Sequence, residues 1–308
     1  MENSKPIEKP KVLVLAGPTA VGKTKYALAL AGTMDFEIVG CDSMQLYKYM
    51  DIGSAKPTKE EMASVPHHLV DCIDPKESFS AARYRELALL AIGDITARGK
   101  IPLVTGGTGL YLNAILFDMD FGPGERDEEY RKELQAYAEE KGAEALWQRL
   151  KEADEDSAHR IHPNNIKRVI RALEAAEREG RPLSDFDRVT KRTEEYDFLL
   201  LGLTRDRDEL YRRIDQRVDI LLEQGLEEEI KELMAKGFTS SDIAMKGIGY
   251  KELLDYFAGA YDREEALRLI KRNTRHLAKR QVTWFKRYED MVWYNLTRKS
   301  RRMDENRS

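Results

Sequence analysis

Gly17-Pro18-Thr19-Ala20-Val21-Gly22-Lys23-Thr24 places two glycines with four residues between them and follows the second with Lys and a hydroxyl. That is the spacing of a phosphate-binding turn. Its backbone N–H groups, with the amino end of the helix it opens, make a concave nest for phosphate oxygens. Lys23 adds a point charge, and the Thr24 hydroxyl is suited to ligate Mg²⁺. The motif does not say which phosphate compound binds. Most such turns serve ATP hydrolysis or γ-phosphoryl transfer, so ATP binding is one expectation. Proteins of that kind usually carry a second apolar strand ending in Asp to hold the metal. Here the third candidate strand runs into Thr105-Gly106-Gly107-Thr108-Gly109 with no acid, and the acid follows the second strand instead, at Asp42. A carboxylate there can cap a helix, hold a metal or accept a proton.

The elements around these residues follow from pattern. Lys11–Ala16 (KVLVLA) is a short apolar run ending at a glycine, as a buried strand requires. A helix is expected over Lys25–Ala31, further strands over Phe36–Gly40 and Ile101–Thr105, and a helix over Ala81–Ala97 that stops near Gly99. Strands alternating with helices predict βαβ units and a parallel sheet. Asp42 then lies at the carboxyl edge of that sheet, beside the phosphate turn. After Phe121 the texture changes. Gly122-Pro123-Gly124 is a breaker, and the chain from Arg126 to about Glu195 is charged and helical, before Phe198–Leu203 (FLLLGL) reads as another buried strand. The predicted fold is α/β: a P-loop NTPase-like parallel sheet flanked by helices in residues 1–121 and 196–308, with an inserted all-helical domain over 122–195. Helices are expected to about Asp290, and the polar stretch after Thr297 is expected to be disordered.

Charge and composition narrow the partners. Of 308 residues, 42% are hydrophobic, enough for a sizeable core, and 34% are charged. The net charge of −4 hides an imbalance: from Arg263 onward there are 14 Lys/Arg against 6 Asp/Glu. A basic segment on an acidic chain is a plausible nucleic-acid footprint, and equally a solvated helix face. No run approaches the roughly 18–20 apolar residues that span a bilayer, so no membrane partner and a cytoplasmic location are expected. Cys41 and Cys72 form no CxxC pair, and His67 and His68 lack a spaced third ligand, so no structural metal is expected.

An ordered set of motifs resembles the bacterial tRNA dimethylallyltransferase family. It comprises the turn 17–24, Asp42-Ser43-Met44-Gln45, Asp51-Ile52-Gly53-Ser54-Ala55-Lys56-Pro57, Pro66-His67-His68-Leu69-Val70-Asp71 and Gly106-Gly107-Thr108-Gly109-Leu110-Tyr111. It continues with Lys167-Arg168-Val169-Ile170-Arg171-Ala172-Leu173-Glu174, Gly247-Ile248-Gly249-Tyr250-Lys251-Glu252, and Thr274 to Phe285. The resemblance covers about residues 10–290. It implies transfer of a dimethylallyl group from dimethylallyl diphosphate to N6 of adenosine 37, beside the tRNA anticodon, with Mg²⁺. It implies Asp42 as general base, Thr108 as a residue assisting the transition state, and Arg131 and Arg217 as arginines that approach the diphosphate.

The chemistry accords with those roles. An exocyclic adenine amine is a poor nucleophile that a positioned carboxylate helps, and a departing diphosphate needs fixed cations and N–H donors. A base stacked in the anticodon loop must be extruded to react. Contacts to tRNA are expected from Asp42, Ser43, Met44 and Gln45, the last suited to pair bidentately with an adenine edge. They are also expected from Lys167, Arg168, Val169, Ile170 and Arg171, from Lys246, Gly247, Ile248, Gly249, Tyr250 (a stacking candidate) and Lys251, and from Arg275 and Arg280. Trp284 and Phe285 are expected to pack on the core. A monomer is the default. A phosphate-loop kinase of small molecules and a nucleotide-gated RNA-binding protein without catalysis are the alternatives. The first needs ATP turnover, and the second gives Asp42 nothing to do.

Overall fold

The computed structural model describes residues 9–119, 127–178 and 191–297. They fall into two compact units, Met1–Ile115 with Glu194–Ser308, and Leu116–Thr193.

The first unit is built on six parallel strands: β1 Lys11–Ala16, β2 Phe36–Cys41, β3 His67–His68, β4 Ile101–Gly106, β5 Asp197–Thr204 and β6 Val292–Asn295. Their order across the sheet is β3-β2-β4-β1-β5-β6. Strand β1 is central, with Leu13 opposite Leu103 on one side and Leu199 on the other. Five of its six residues are buried, as a strand covered on both faces requires. Leu13, Leu15, Phe36, Ile38, Leu103 and Leu203 form a core with Val21 of the phosphate turn and Ala27, Ile214 and Ala278 from the helices. Each such aliphatic or aromatic side chain contributes about 1.5–3 kcal/mol by leaving water.

Helix α1, Lys23–Ala31, opens directly from the phosphate turn, two residues earlier than expected. It is followed by α2 (Lys59–Ser64), α3 (Ala81–Ala97) and α4 (Gly109–Leu116). Ser80 caps α3 by accepting the Arg83 N–H at 3.1 Å, which places its start where the sequence predicted. Strand β4 runs one residue further than expected, to Gly106, and β2 to Cys41. Both ends thereby reach the edge on which Asp42 lies. Strands β3 and β6 were not anticipated. The first is two residues long, and the second sits at a sheet edge with half its residues exposed, so neither has a buried run to betray it.

The second unit contains α5 (Glu128–Lys141), α6 (Ala143–Ala153), α7 (Glu155–Arg160) and α8 (Ile166–Glu177). Tyr130, Leu134, Leu146, Leu150, Ile161, Val169 and Leu173 pack together in its core. The first unit closes with α9 (Arg207–Glu223), α10 (Leu226–Ala235), α11 (Tyr250–Phe257) and α12 (Arg263–Phe285). The breaker at 122–124 and the polar stretch after Thr297 lie outside the described residues. No helix among those described is long and apolar enough to cross a membrane.

Candidate active site

The phosphate turn leaves β1 at Gly17, where the chain passes so close to β5 that a Cβ would lie 2.7 Å from the Leu203 carbonyl oxygen. Ala20 and Gly22 take positive φ, +61° and +111°. Gly22 tolerates this freely, whereas Ala20 carries strain of about 1 kcal/mol that the surrounding contacts must hold. Arginines supply part of that hold: Arg213 Nε donates to Ala20 O at 2.9 Å and Arg205 Nε to Val21 O at 3.1 Å. Lys23 Nζ bridges the turn, donating to Gly17 O at 2.9 Å and Pro18 O at 3.1 Å. Burial pulls its pKa down to about 8 against the opposing pull of Asp42, with Arg217 lowering it further.

Asp42 follows β2, and its Oδ1 accepts the Met44 N–H at 2.9 Å, which folds the chain back over itself. The next loop secures this segment. Thr108 Oγ1 accepts the Ser43 N–H at 2.9 Å and donates to Ser43 Oγ at 3.3 Å, while the Thr108 N–H donates to Cys41 O at 3.0 Å. Gly106 is needed for this approach, since a Cβ there would lie 2.0 Å from Cys41 O.

Two cavities meet at Asp42. One, of about 160 Å³, is lined by Thr19, Gly22, Lys23 and Thr24 of the turn, with Asp42 and Arg217. The other, of about 130 Å³, holds Asp42 and Arg217 against the apolar Met44, Leu221, Ile248 and Leu277. Thr19 and Ser54 also line both. Arg217 projects from α9. Burial lowers its pKa, the Asp42 charge opposes that, and Arg213 adds to it. One cavity is thus rich in phosphate-binding groups, the other is largely apolar, and a carboxylate and a guanidinium stand at their junction.

The wall facing Asp42 has its own support. Glu229, on α10, accepts the N–H groups of Asp51 (2.7 Å), Ile52 (2.6 Å) and Gly53 (3.0 Å) and the Tyr250 hydroxyl (2.7 Å). Tyr250 is fully buried, so in this structure it presents no ring face to a base and the stacking role expected of it is not available. Its neighbours are placed differently. Ile248 and Gly249 line the apolar cavity, and Gly247 meets Met44 so closely that a Cβ would lie 2.4 Å from its Cε. Lys246 and Lys251 are exposed. Gln45 Nε2 donates to Ser54 O (3.3 Å) and Ala55 O (3.0 Å), so bidentate pairing with an adenine edge would need those bonds to break.

Arg275 pairs with Asp215 at 2.8 Å, while Arg280 is exposed in a surface groove with His276, Lys279, Thr283 and Trp284. Phe285 is buried as expected, and the Trp284 ring lies over Gly109. In the second unit, Val169 and Ile170 face the helical core, Lys167 and Arg168 are exposed, and Arg171 donates to Glu174 at 2.8 Å. Arg131 also binds Glu174, through Nε at 3.0 Å and through its NH2 group at 2.5 Å. His67 Nδ1 meets the Val65 carbonyl at 2.7 Å, and His68 Nε2 meets Glu37 at 2.8 Å. Sequence reasoning gave no role to Glu229 or Gln281. Their partners are distant in the chain, and the only available signal was a polar residue facing inward on an otherwise apolar helix stripe.

For Mg²⁺ the donors at hand are Thr24 and Asp42, in one cavity. Among the described residues no group of three His, Cys, Asp or Glu could hold a metal ion. One hydroxyl and one carboxylate nonetheless suit Mg²⁺, which keeps several waters and takes its other ligands from substrate phosphates.

Fold and site together define an α/β protein of the phosphate-loop class. Residues 45–288 match the family model described as IPP transferase. The chain is 50% identical over 289 residues to a tRNA dimethylallyltransferase of Alkaliphilus oremlandii, covering 94% of this chain and 92% of that one. It is 49% identical over 290 residues to one of Clostridioides difficile, covering 94% and 93%. A crystal structure of the tRNA isopentenylpyrophosphate transferase of Bacillus halodurans is similar at 44% identity and a TM-score of 0.69, over 94% of this chain and 91% of that one. A eukaryotic dimethylallyltransferase acting on tRNA is similar at 32% identity and a TM-score of 0.81, over 94% and 75%. The chain belongs to the IPP transferase family.

Proposed function

We propose that this protein transfers the dimethylallyl group of dimethylallyl diphosphate to N6 of adenosine 37 in tRNA, releasing diphosphate. The observation that carries the reading is the position of Asp42 at the junction of the two cavities, shared with Arg217. The diphosphate sits in the phosphate turn, held by backbone N–H groups, Lys23 and Arg217. The adenine enters from the apolar side. As the allylic carbon–oxygen bond breaks, its electron pair leaves with the diphosphate, and the fixed cations stabilise the charge that develops there. N6 attacks the allylic carbon, and Asp42 takes the proton that N6 loses. Thr108 acts at this step by holding Ser43, and with it Asp42, in place. Mg²⁺ bound at Thr24 would neutralise part of the diphosphate charge. Arg131 would have to leave Glu174 to reach a diphosphate.

The helical unit Leu116–Thr193 is assigned to holding tRNA, with Lys167 and Arg168 on the exposed face of α8 reaching RNA phosphates, and Arg280 doing the same from α12. Sequence similarity to proteins named for this reaction supports the assignment. So does the pairing of a phosphate-binding cavity with an apolar one. The test is mass analysis of nucleosides from tRNA incubated with the protein, Mg²⁺ and dimethylallyl diphosphate, without ATP. The expected product is N6-dimethylallyladenosine. In Asp42→Ala, transfer falls by about 10²–10⁴-fold while tRNA binding persists. Undiminished transfer in that variant would remove Asp42 as the base, and transfer that requires ATP would favour the kinase reading.

A further inference from the structure

We propose that Gln281 is a positioning residue: a two-ended strut that fixes the phosphate turn and the 106–109 loop relative to each other, so that the donor and the base meet in register. This deepens the function proposed above and rests on it. Gln281 projects inward from α12 and is buried. Its Oε1 accepts the Thr19 N–H at 2.8 Å, and its Nε2 donates to Gly107 O at 3.0 Å. Only one orientation of the amide satisfies both partners, since one offers N–H and the other C=O. Gly107 has no side chain to obstruct this: a Cβ there would lie 2.3 Å from Gln281 Nε2.

The strut acts on the reacting groups through others. At one end, Thr19 belongs to the turn that would grip the diphosphate and lines both cavities. At the other, Gly107 precedes Thr108, which holds the Ser43 N–H and hydroxyl, and Ser43 follows Asp42. A single side chain therefore sets the spacing between leaving-group site and base. One turn along α12, Trp284 covers Gly109 of the same loop, while Arg280 and Lys279 face outward. The inner face of α12 thus braces the site and its outer face is basic, so a change in α12 on RNA binding would reach both loops at once.

Gln281→Met keeps length and volume but neither hydrogen bond; Gln281→Asn keeps the amide on a shorter arm. Each is compared with the unsubstituted protein in steady-state transfer, in thermal melting and in amide hydrogen exchange of peptides spanning 17–24 and 106–109. We expect kcat to fall by about tenfold to a hundredfold, the cost of a misplacement of about 1 Å. KM for tRNA should stay within about threefold, because tRNA contacts are not removed. Exchange should quicken in both loops together. Should Met unfold the protein, the Asn variant carries the same expectations. Exchange that changes in neither loop or in only one overturns the strut, whatever the transfer assay gives, and so does an unchanged kcat. If both loops loosen but the unsubstituted protein modifies no tRNA, the tie between the loops stands and the proposed function falls.

Discussion

In the helical unit, Glu174 is 1% exposed and is satisfied on several sides, by Arg131, by Arg171 and by the Asp127 N–H, while Glu177 takes Arg149 and the Tyr130 hydroxyl. Around the phosphate turn the arrangement is reversed. Lys23 and Arg217 are cations whose pKa values burial lowers, with the Asp42 charge the largest pull the other way on each, and Lys23 leans on backbone carbonyls instead of a carboxylate. Paired charges in the first case hold helices together. Cations gathered around one carboxylate in the second keep a positive field that an incoming diphosphate can complete. Two arginines given the same role by resemblance, Arg131 and Arg217, therefore occupy opposite settings.

The contrast can be broken most directly at Arg217. In Arg217→Ala, kcat should fall by about 10²–10³-fold, the usual loss when one stabiliser of developing negative charge is removed. Single-turnover transfer of labelled dimethylallyl measures it, and a loss confined to KM would make Arg217 a binding group alone. Arg131→Ala should instead destabilise folding by about 1.5–3 kcal/mol, because the buried Glu174 carboxylate loses two charge-assisted hydrogen bonds and keeps only Arg171 and the Asp127 N–H. Scanning calorimetry detects that loss, and Arg131→Met with Glu174→Leu should recover most of it. If transfer stays low in the doubly substituted protein after stability returns, Arg131 serves the diphosphate after all.

A smaller effect sharpens the comparison through pH. The Lys23 pKa is lowered from its ordinary value to about 8, so the cation is lost as pH rises through that value. For donor, kcat/KM should therefore decline above about pH 8, approaching tenfold per unit, if the free protein needs the charged form. Between that value and the ordinary lysine range the unfolded chain binds more protons at this site than the folded one. This group's contribution to stability thus rises with pH there while activity falls. A profile flat to pH 9.5 would detach Lys23 from donor binding. The mildest change is Lys167→Ala, on the exposed face of α8. It should weaken tRNA binding by about tenfold or less and reduce the slope of log K against log salt by about one. An unaltered slope would exclude a phosphate contact.

What could be read in advance was local. The phosphate turn lies between a buried strand and an Ala- and Leu-rich helix, so spacing alone located the turn, β1, α1 and the carboxyl edge where Asp42 lies. The resemblance added Thr108 and Arg217. Contacts between distant residues stayed hidden: Gln281 and Thr19 are 262 residues apart, and Glu229 and Asp51 are 178 apart. No periodicity encodes such pairs. Residues assigned to RNA from their motifs alone divided according to helix phase, which settled Val169 and Tyr250 inside and Lys167 and Arg280 outside. A pattern of motif residues does not reveal that phase where a short helix is capped by a glycine, as α11 is by Gly249.

The carboxylate of Glu229 gives residues 51–53 something that irregular chain ordinarily lacks, an acceptor for three successive amides. In deuterated water those three hydrogens should persist as if they belonged to a helix, and be released only when α10 itself comes loose. A stretch drawn as a loop would then share the lifetime of the helix it leans on, and the wall of the reaction chamber would be as durable as its scaffold.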